Sequence, residues 1–263
     1  MSSNKDSVAG TLKVALLLCV VCSIVISSAA VILKPYQEAN KILDRNKNIL
    51  AAAGMFNPQT NSDGDVASLF AQFTPRIVNL DSGEFLSASE MTDLGIDPAS
   101  YDQRAVLTDP QFSDAIPAEQ DIASLKRRVR YATVYMVANA NGDIEDIVLP
   151  VSGYGLWGTM YGYLALEGDG NTVKGIGFYE QKETPGLGGE IANPRWKALW
   201  PGKQVYGDNG EVALSIVKGS GQGVHQVDGL AGASLTSRGV DNLIEYWMGP
   251  KGFGPFLKHL SNS

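Results

Sequence analysis

The segment Asp228-Gly229-Leu230-Ala231-Gly232-Ala233-Ser234-Leu235-Thr236-Ser237 sets hydroxyl side chains just behind a glycine turn and just ahead of an apolar-periodic stretch. That pattern makes a turn followed by a helix N-terminus, with Ser234, Thr236 or Ser237 starting the helix. Free N–H groups at such an end suit a phosphate, and a hydroxyl exposed there is placed to be esterified to one. A hydrolase built on Ser234 with His225 is a competing reading. It lacks the G-x-S-x-G elbow, and the sequence supplies neither an acidic partner nor an oxyanion hole.

Two further glycine-rich segments can do chemistry. Glu183-Thr184-Pro185-Gly186-Leu187-Gly188-Gly189-Glu190 is either a structural turn or a lining for a planar ligand. In the second reading bare glycine backbone and the Thr184 hydroxyl meet the ring edge, and Leu187 meets its face. A ring such as isoalloxazine needs that mixture of apolar faces and a few hydrogen bonds. Gly153-Tyr154-Gly155-Leu156-Trp157-Gly158 matches G-x-G-x-x-G. A dinucleotide fingerprint requires a helix to follow, and the residues that follow, Thr159 to Leu166, are strand-like, which excludes a Rossmann site. The glycines still allow close backbone approach to a flat or bulky group.

These loops need a scaffold. Ala132–Val137 and Ile144–Val151 flank Asn139-Ala140-Asn141-Gly142-Asp143 and predict a hairpin. Tyr161–Leu166 and Val173–Glu180 predict a second hairpin around Gly168-Asp169-Gly170-Asn171, and Val212–Val217 a further strand. Ser237–Met248 carries Val240, Leu243, Ile244 and Trp247 on one helical face. The fold class is therefore α+β around a largely antiparallel sheet. Upstream, Glu38–Ala53 predicts a helix ended by Gly54, Val66–Leu80 and Phe85–Met91 hold short elements, and Pro98–Ala118 reads as irregular.

Val14–Leu33 is an uncharged apolar run of twenty residues. At about 1.5 Å per residue it spans roughly 30 Å, one hydrocarbon thickness. A cleaved signal peptide is the competing reading, given the small residues Ser27–Ala30. The run exceeds the roughly 7–15 residues of a signal-peptide core, which favours an uncleaved single-pass anchor. Cys19 and Cys22 fall inside it as C-x-x-C, with no basic neighbour to activate a thiol, and read as packing residues. The flanks carry Lys5 and Lys13 on one side and Lys34, Lys41, Arg45 and Lys47 on the other. A plain positive-inside count puts the following domain in the cytoplasm, but the rule weakens ahead of a long domain.

With 21 basic and 28 acidic residues, a net charge of -7, the chain lacks the basic face that nucleic acid requires. Two Cys and two His are too few for a zinc module or an iron–sulfur cluster made by this chain alone. Lys126-Arg127-Arg128-Val129-Arg130 is the one basic cluster, readable as a solvated edge or as a patch for anionic lipid or an acidic partner.

Taken together the motifs resemble a known family. Asp228 to Ser234 is similar to the flavin-attachment signature D-x-x-(S/T)-G-A-T, in which a dedicated transferase links FMN by a phosphodiester to the final hydroxyl. The anchor, the G-Y-G-L-W-G-T-M-Y-G segment, the E-T-P-G-L-G-G-E loop and the closing Gly252-Phe253-Gly254-Pro255-Phe256-Leu257 extend the likeness over nearly the full length. The chain resembles the C subunits of the sodium-translocating NADH:quinone reductases. Ala231 stands where Ser or Thr is usual, and Ser234 where the acceptor is usually Thr.

The resemblance implies a translocase component that relays electrons through covalent FMN within a multi-subunit complex of the inner membrane, with the soluble domain on the periplasmic side. It implies Ser234 as acceptor with Thr236 as the fallback, Asp228, Gly232 and Ala233 in the attachment turn, and Leu156, Trp157, Thr184, Gly186 and Leu187 around the ring. A Lys or Arg is expected near the phosphate. The implied organisation is a tail and transmembrane helix over 1–33, a soluble N-terminal region over 34–130 and an FMN-binding domain over 131–263. The alternatives are the G subunit of an Rnf-type ferredoxin:NAD oxidoreductase and a membrane-anchored binding or sensor module without redox function.

Overall fold

A computed structural model describes residues 8–261; the N-terminal tail with Lys5, and residues 262–263, lie outside the described residues. The chain divides into two compact units, Met1–Arg45 and Asn46–Ser263. Helix α1, Val8–Ala52, is long and apolar enough to cross a membrane. The sequence predicts two helices here, and the structure runs them into one with Pro35 inside. Proline removes one backbone donor, but Lys34, Tyr36 and Gln37 offer no turn chemistry that would stop the helix. Gly54 ends it at φ 72°, and the Met55 amide closes back on Leu50 O at 2.8 Å, a left-handed glycine cap.

The second unit is built on a five-stranded antiparallel sheet. Its strands, in spatial order, are β1 (Thr74–Asn79), β4 (Tyr131–Ala138), β5 (Ile144–Tyr154), β6 (Thr159–Glu167) and β7 (Val173–Glu180). Both predicted hairpins are present, as the β4–β5 and β6–β7 pairings, and β5 pairs with β6. The sheet is thus a meander with β1 added at one edge. The hairpin turns are set by side chains: Asn139 Oδ1 accepts from the Asn141 and Asp143 amides, and Asp169 Oδ1 from Asn171 and Thr172.

Short helices α2 (Val66–Phe70) and α3 (Ala88–Leu94) flank β1, and β2 (Ser113–Ala115) pairs with β3 (Arg127–Val129). Beyond the sheet lie α4 (Pro194–Lys197), β8 (Ser215–Val217), β9 (Gln226–Asp228), α5 (Ser234–Met248) and α6 (Gly254–Leu260).

Two expectations change here. The strand predicted over Val212–Val217 shrinks to β8, which pairs in parallel with β9. The amides of Ala213 and Leu214 both donate to Val205 O, which bends the chain before it can extend. Of the three candidate starts of the last helix the structure takes Ser234, three residues ahead of the predicted Ser237–Met248 stretch, with Ala233 in the cap position. Ser237 acts from inside the first turn, where its Oγ accepts the Leu230 amide at 2.9 Å.

Helix α5 covers one face of the sheet, burying Val240, Leu243, Ile244 and Trp247 with Met160, Leu164 and Leu166 of β6. It lies close to β5 because both sides are bare: a Cβ at Gly239 would stand 2.5 Å from Tyr154 O, and one at Gly153 would stand 2.9 Å from Leu243 Cβ. Trp247 Nε1 fixes the register by donating to Ser152 O at 2.7 Å. The opposite face carries a run of rings, Phe70, Tyr135, Tyr163 and Tyr179. With both faces covered, the central strands bury consecutive residues such as Leu164–Leu166, so strict alternation is lost.

The three arginines of the basic cluster are paired within the chain, while Lys126 is exposed. Arg127 donates to Leu107 O and Ser113, and Arg130 forks onto Asp114. Arg128, almost buried, pairs with Asp81 and donates to Lys251 O at 2.7 Å, stapling the start of the unit to its end.

Candidate functional site

The three glycine-rich segments meet at one end of the sheet. The first is the β5–β6 turn, where the Gly155 amide donates to Gly158 O at 2.8 Å. This strand–turn–strand context is the one that excludes a dinucleotide fingerprint. The second follows β7 and is wound around Thr184 O, which accepts from Leu187 N at 3.1 Å and Gly189 N at 2.9 Å. Gly186 takes φ 76° in that loop, a left-handed conformation that glycine adopts without strain. The third is the turn from β9 into α5, with Gly232 at φ 73°.

Between them lies an open cavity of about 250 Å³ lined by Leu156, Glu183, Thr184, Leu187, Gly188 and the stretch Gly232–Thr236. Of the residues expected from sequence, Leu156, Thr184, Leu187, Gly232, Ala233, Ser234 and Thr236 line it. Trp157 does not line it but is tied to it, its Nε1 donating to Thr184 Oγ1 at 3.1 Å. Gly186 sits in the loop outside the lining. Asp228 is a turn residue: its Oδ1 accepts the Gly221 amide at 2.8 Å and its carbonyl accepts Trp196 Nε1 at 2.8 Å. His225 faces away into a contact with Gln204 O at 2.9 Å.

The two hydroxyls stand in opposite environments. Ser234, the first residue of α5, is exposed. Thr236 is 1% exposed, and its Oγ1 donates to Glu183 in a short hydrogen bond. Arg238 follows Ser234 by one helical turn and is exposed on the same side.

Glu183 is the residue that sequence reasoning passed over. Its side chain is 4% exposed, yet it stands in the wall of the cavity. Its two oxygens accept the Leu156 amide at 3.0 and 3.1 Å, the Trp157 amide at 3.0 Å and the Thr236 hydroxyl. The carboxylate thereby joins all three segments. It also accounts for two of the glycines. A Cβ at Gly155 would stand 2.5 Å from Glu183 Oε1, and one at Gly188 would fall 2.9 Å from Glu183 Cβ and collide with Thr236 Oγ1. Leu235 was also missed. It is 55% exposed and out of phase with the buried face of α5, which is the signal that could have found it.

The lining has what a flat, partly polar ring requires: Leu156, Leu187 and Leu235 as apolar contacts, with the Thr184 hydroxyl and glycine backbone as edge partners. An exposed alcohol at a helix N-terminus beside it suits a phosphoryl group.

A family model described as the FMN-binding domain matches residues 155–249. The chain is 50% identical to the C subunit of the Na(+)-translocating NADH-quinone reductase of Pseudomonas aeruginosa, with 98% of each chain covered. It is 49% identical to the corresponding Haemophilus ducreyi protein, over 97% of this chain and 95% of that one. Among solved structures it is similar to Shewanella oneidensis NqrC, with a TM-score of 0.75 and 35% identity, covering 85% of this chain and 100% of that one. The equivalent Na(+)-translocating NADH-quinone reductase component from Parabacteroides distasonis gives a TM-score of 0.64 at 26% identity, covering 86% and 96%.

Proposed function

The chain belongs to the family of C subunits of the Na(+)-translocating NADH-quinone reductases and is an FMN-carrying subunit of that complex, and on that footing we propose that it holds FMN by a phosphodiester to Ser234. The observation that carries the reading is the position of this one alcohol. It is exposed, it opens α5, and it borders the cavity whose other walls are the two ring-lining loops.

The ester forms when Ser234 Oγ bonds to the phosphorus of an activated flavin donor. The donor's P–O bond breaks, and a base of the flavin transferase takes the hydroxyl proton. Arg238, one turn along α5, offers positive charge to the resulting phosphodiester, filling the role expected for a Lys or Arg. Leu156 and Leu187 hold the ring faces. Thr184 is poised at the ring edge while also fixing Trp157. Asp228 fixes the end of β9 ahead of the attachment turn, its Oδ1 accepting the Gly221 amide and its carbonyl the Trp196 indole.

When bound, FMN supplies both one- and two-electron chemistry. The protein's part is to keep the ring accessible. The cavity of about 250 Å³ is smaller than the roughly 300–1,000 Å³ of sites that enclose a ligand, and exposed Leu156, Leu187 and Leu235 stand in its wall. A tether in place of a deep pocket leaves a ring edge open for electron exchange with the other subunits.

We further infer an anchor over 1–33, a soluble N-terminal region over 34–130 that lends β1 to the sheet, and an FMN-binding domain over 131–263, with the soluble part on the periplasmic side.

The experiment is denaturing electrophoresis under ultraviolet light, with mass spectrometry, on chain produced with the transferase. A fluorescent band and an FMN-sized adduct on the attachment peptide are expected. A colourless chain of unmodified mass refutes the reading.

A further inference from the structure

We propose that Glu183 is a positioning residue for the flavin: its buried carboxylate locks the Leu156–Trp157 backbone to the first turn of α5 and supplies the fixed charge against which the ring is reduced. The proposal rests on the reading that the cavity holds the FMN ring.

Burying a carboxylate costs several kcal/mol unless its oxygens are satisfied, and a side chain that only closed a loop could do so without charge. Here the chain meets that cost in full. Two backbone amides and the Thr236 hydroxyl converge on the group, and Gly155 and Gly188 leave out the side chains that would displace it. Among the described residues no Lys or Arg forms a salt bridge with it, so its charge is not cancelled by a partner cation.

The clamp also has geometry. Leu156 and Trp157 belong to the sheet turn, Ser234 and Thr236 to the helix, and Glu183 is the side chain that bonds to both. The ring platform is thus held at a fixed offset from the attachment point. A unit charge in the wall of a cavity of this size acts on its contents across less than about 10 Å. At an effective permittivity near 20, that shifts a one-electron equilibrium by roughly tenfold.

The test uses the full-length chain, flavinylated by the transferase and purified in detergent, with anaerobic spectroelectrochemical titration. In Glu183→Gln the amide oxygen accepts both backbone donors and the NH2 donates to Thr236, so the shape survives and the charge goes. Measured on the flavin the variant carries, the expected result is reduction made about tenfold more favourable, a rise of about 59 mV for one electron. Glu183→Asp, which restores the charge, returns most of that shift. A Glu183→Gln chain with covalent flavin at the wild-type potential overturns the proposal, whatever its melting temperature.

Should Glu183→Gln fail to fold, Thr236→Val opens the clamp at its other end. Ser234 then still carries flavin, but with at least twofold greater quenching of its fluorescence by iodide. Unchanged quenching overturns the proposal. A wild-type chain without covalent flavin overturns the attachment itself, and this proposal with it. A flavinylated wild-type chain with indifferent variants overturns this proposal alone.

Discussion

Replacing Ser234 by Ala should abolish flavin attachment, whereas Thr236→Val should leave it in place. The two hydroxyls are separated by a single residue, so sequence register alone discriminates them weakly. Burial discriminates them strongly. Ser234 lies exposed at the start of α5, while Thr236 is 1% exposed and hydrogen-bonded to Glu183. For Thr236 to react, that bond to a carboxylate must break, at a cost of about 1.5–3 kcal/mol. The reactive population then falls roughly 10- to 150-fold, before the lost helical turn is counted. Ser234→Ala should therefore carry less than about a tenth of the wild-type adduct at matched transferase and time. Cleavage after Lys218 and Arg238 releases one peptide, Gly219–Arg238, that contains both residues. Fragmentation of that peptide by mass spectrometry assigns the site. A wild-type level of adduct on Thr236 in the Ser234→Ala chain would refute the reasoning, as would loss of the adduct in a folded Thr236→Val chain.

Other perturbations test the supports. Gly155→Ala puts a Cβ 2.5 Å from Glu183 Oε1, so it should reduce covalent flavin and lower the melting temperature, whereas Gly186→Ser has open space but strains a φ of 76°, so it should lower the melting temperature with less effect on covalent flavin; thermal melts and in-gel fluorescence compare them. Arg128→Met removes a nearly buried guanidinium from Lys251 O and Asp81. It should cost about 1–3 kcal/mol, read in denaturant titration as a lower midpoint with unchanged slope. Arg238→Gln should slow attachment a few-fold without changing the site, measured as initial rates of adduct formation. Asp241 tests the pH dependence. Burial pushes its carboxyl above the ordinary value of 3.8, against the opposing effects of the Ile216 amide and Arg238. A raised folded value means the group favours the fold below 3.8 and loses that contribution as pH rises through the folded value. Asp241→Asn keeps the acceptor for the Ile216 amide, so it should melt higher than wild type at pH 7, with the gain vanishing below about pH 4.

Much of this fold was legible because its signals are local. The hairpin turns announce themselves as Asn139–Asp143 and Gly168–Asn171, and the spacing of Val240, Leu243, Ile244 and Trp247 marks the buried face of α5. The failures arise where the deciding contact lies outside the segment. The sequence predicts separate segments over Val14–Leu33 and Glu38–Ala53, yet α1 runs through the residues between them, Pro35 included. The shortened β8 turns on Val205 O accepting two successive amides, a contact made outside the segment. The basic run at 126–130 reads as a surface feature because its acceptors, from Asp81 to Lys251, are scattered over the chain.

The site divides along the same line. Residues singled out within their own motifs come together: Ser234, Thr184, Leu156 and Leu187 all stand in the wall of one cavity. Glu183 escaped because its meaning lies in what faces it. The amides of Leu156 and Trp157 come from a turn 27 and 26 residues upstream, and the Thr236 hydroxyl from a helix 53 residues downstream. The glycines held the trace of it. Gly155 and Gly188 sit in different motifs, and each is required by the same carboxylate and its partner. A glycine in a functional loop is usually taken as room for the ligand. In this chain two of them make room for the residue that holds the loops together, and the cavity is what that clamp leaves between them.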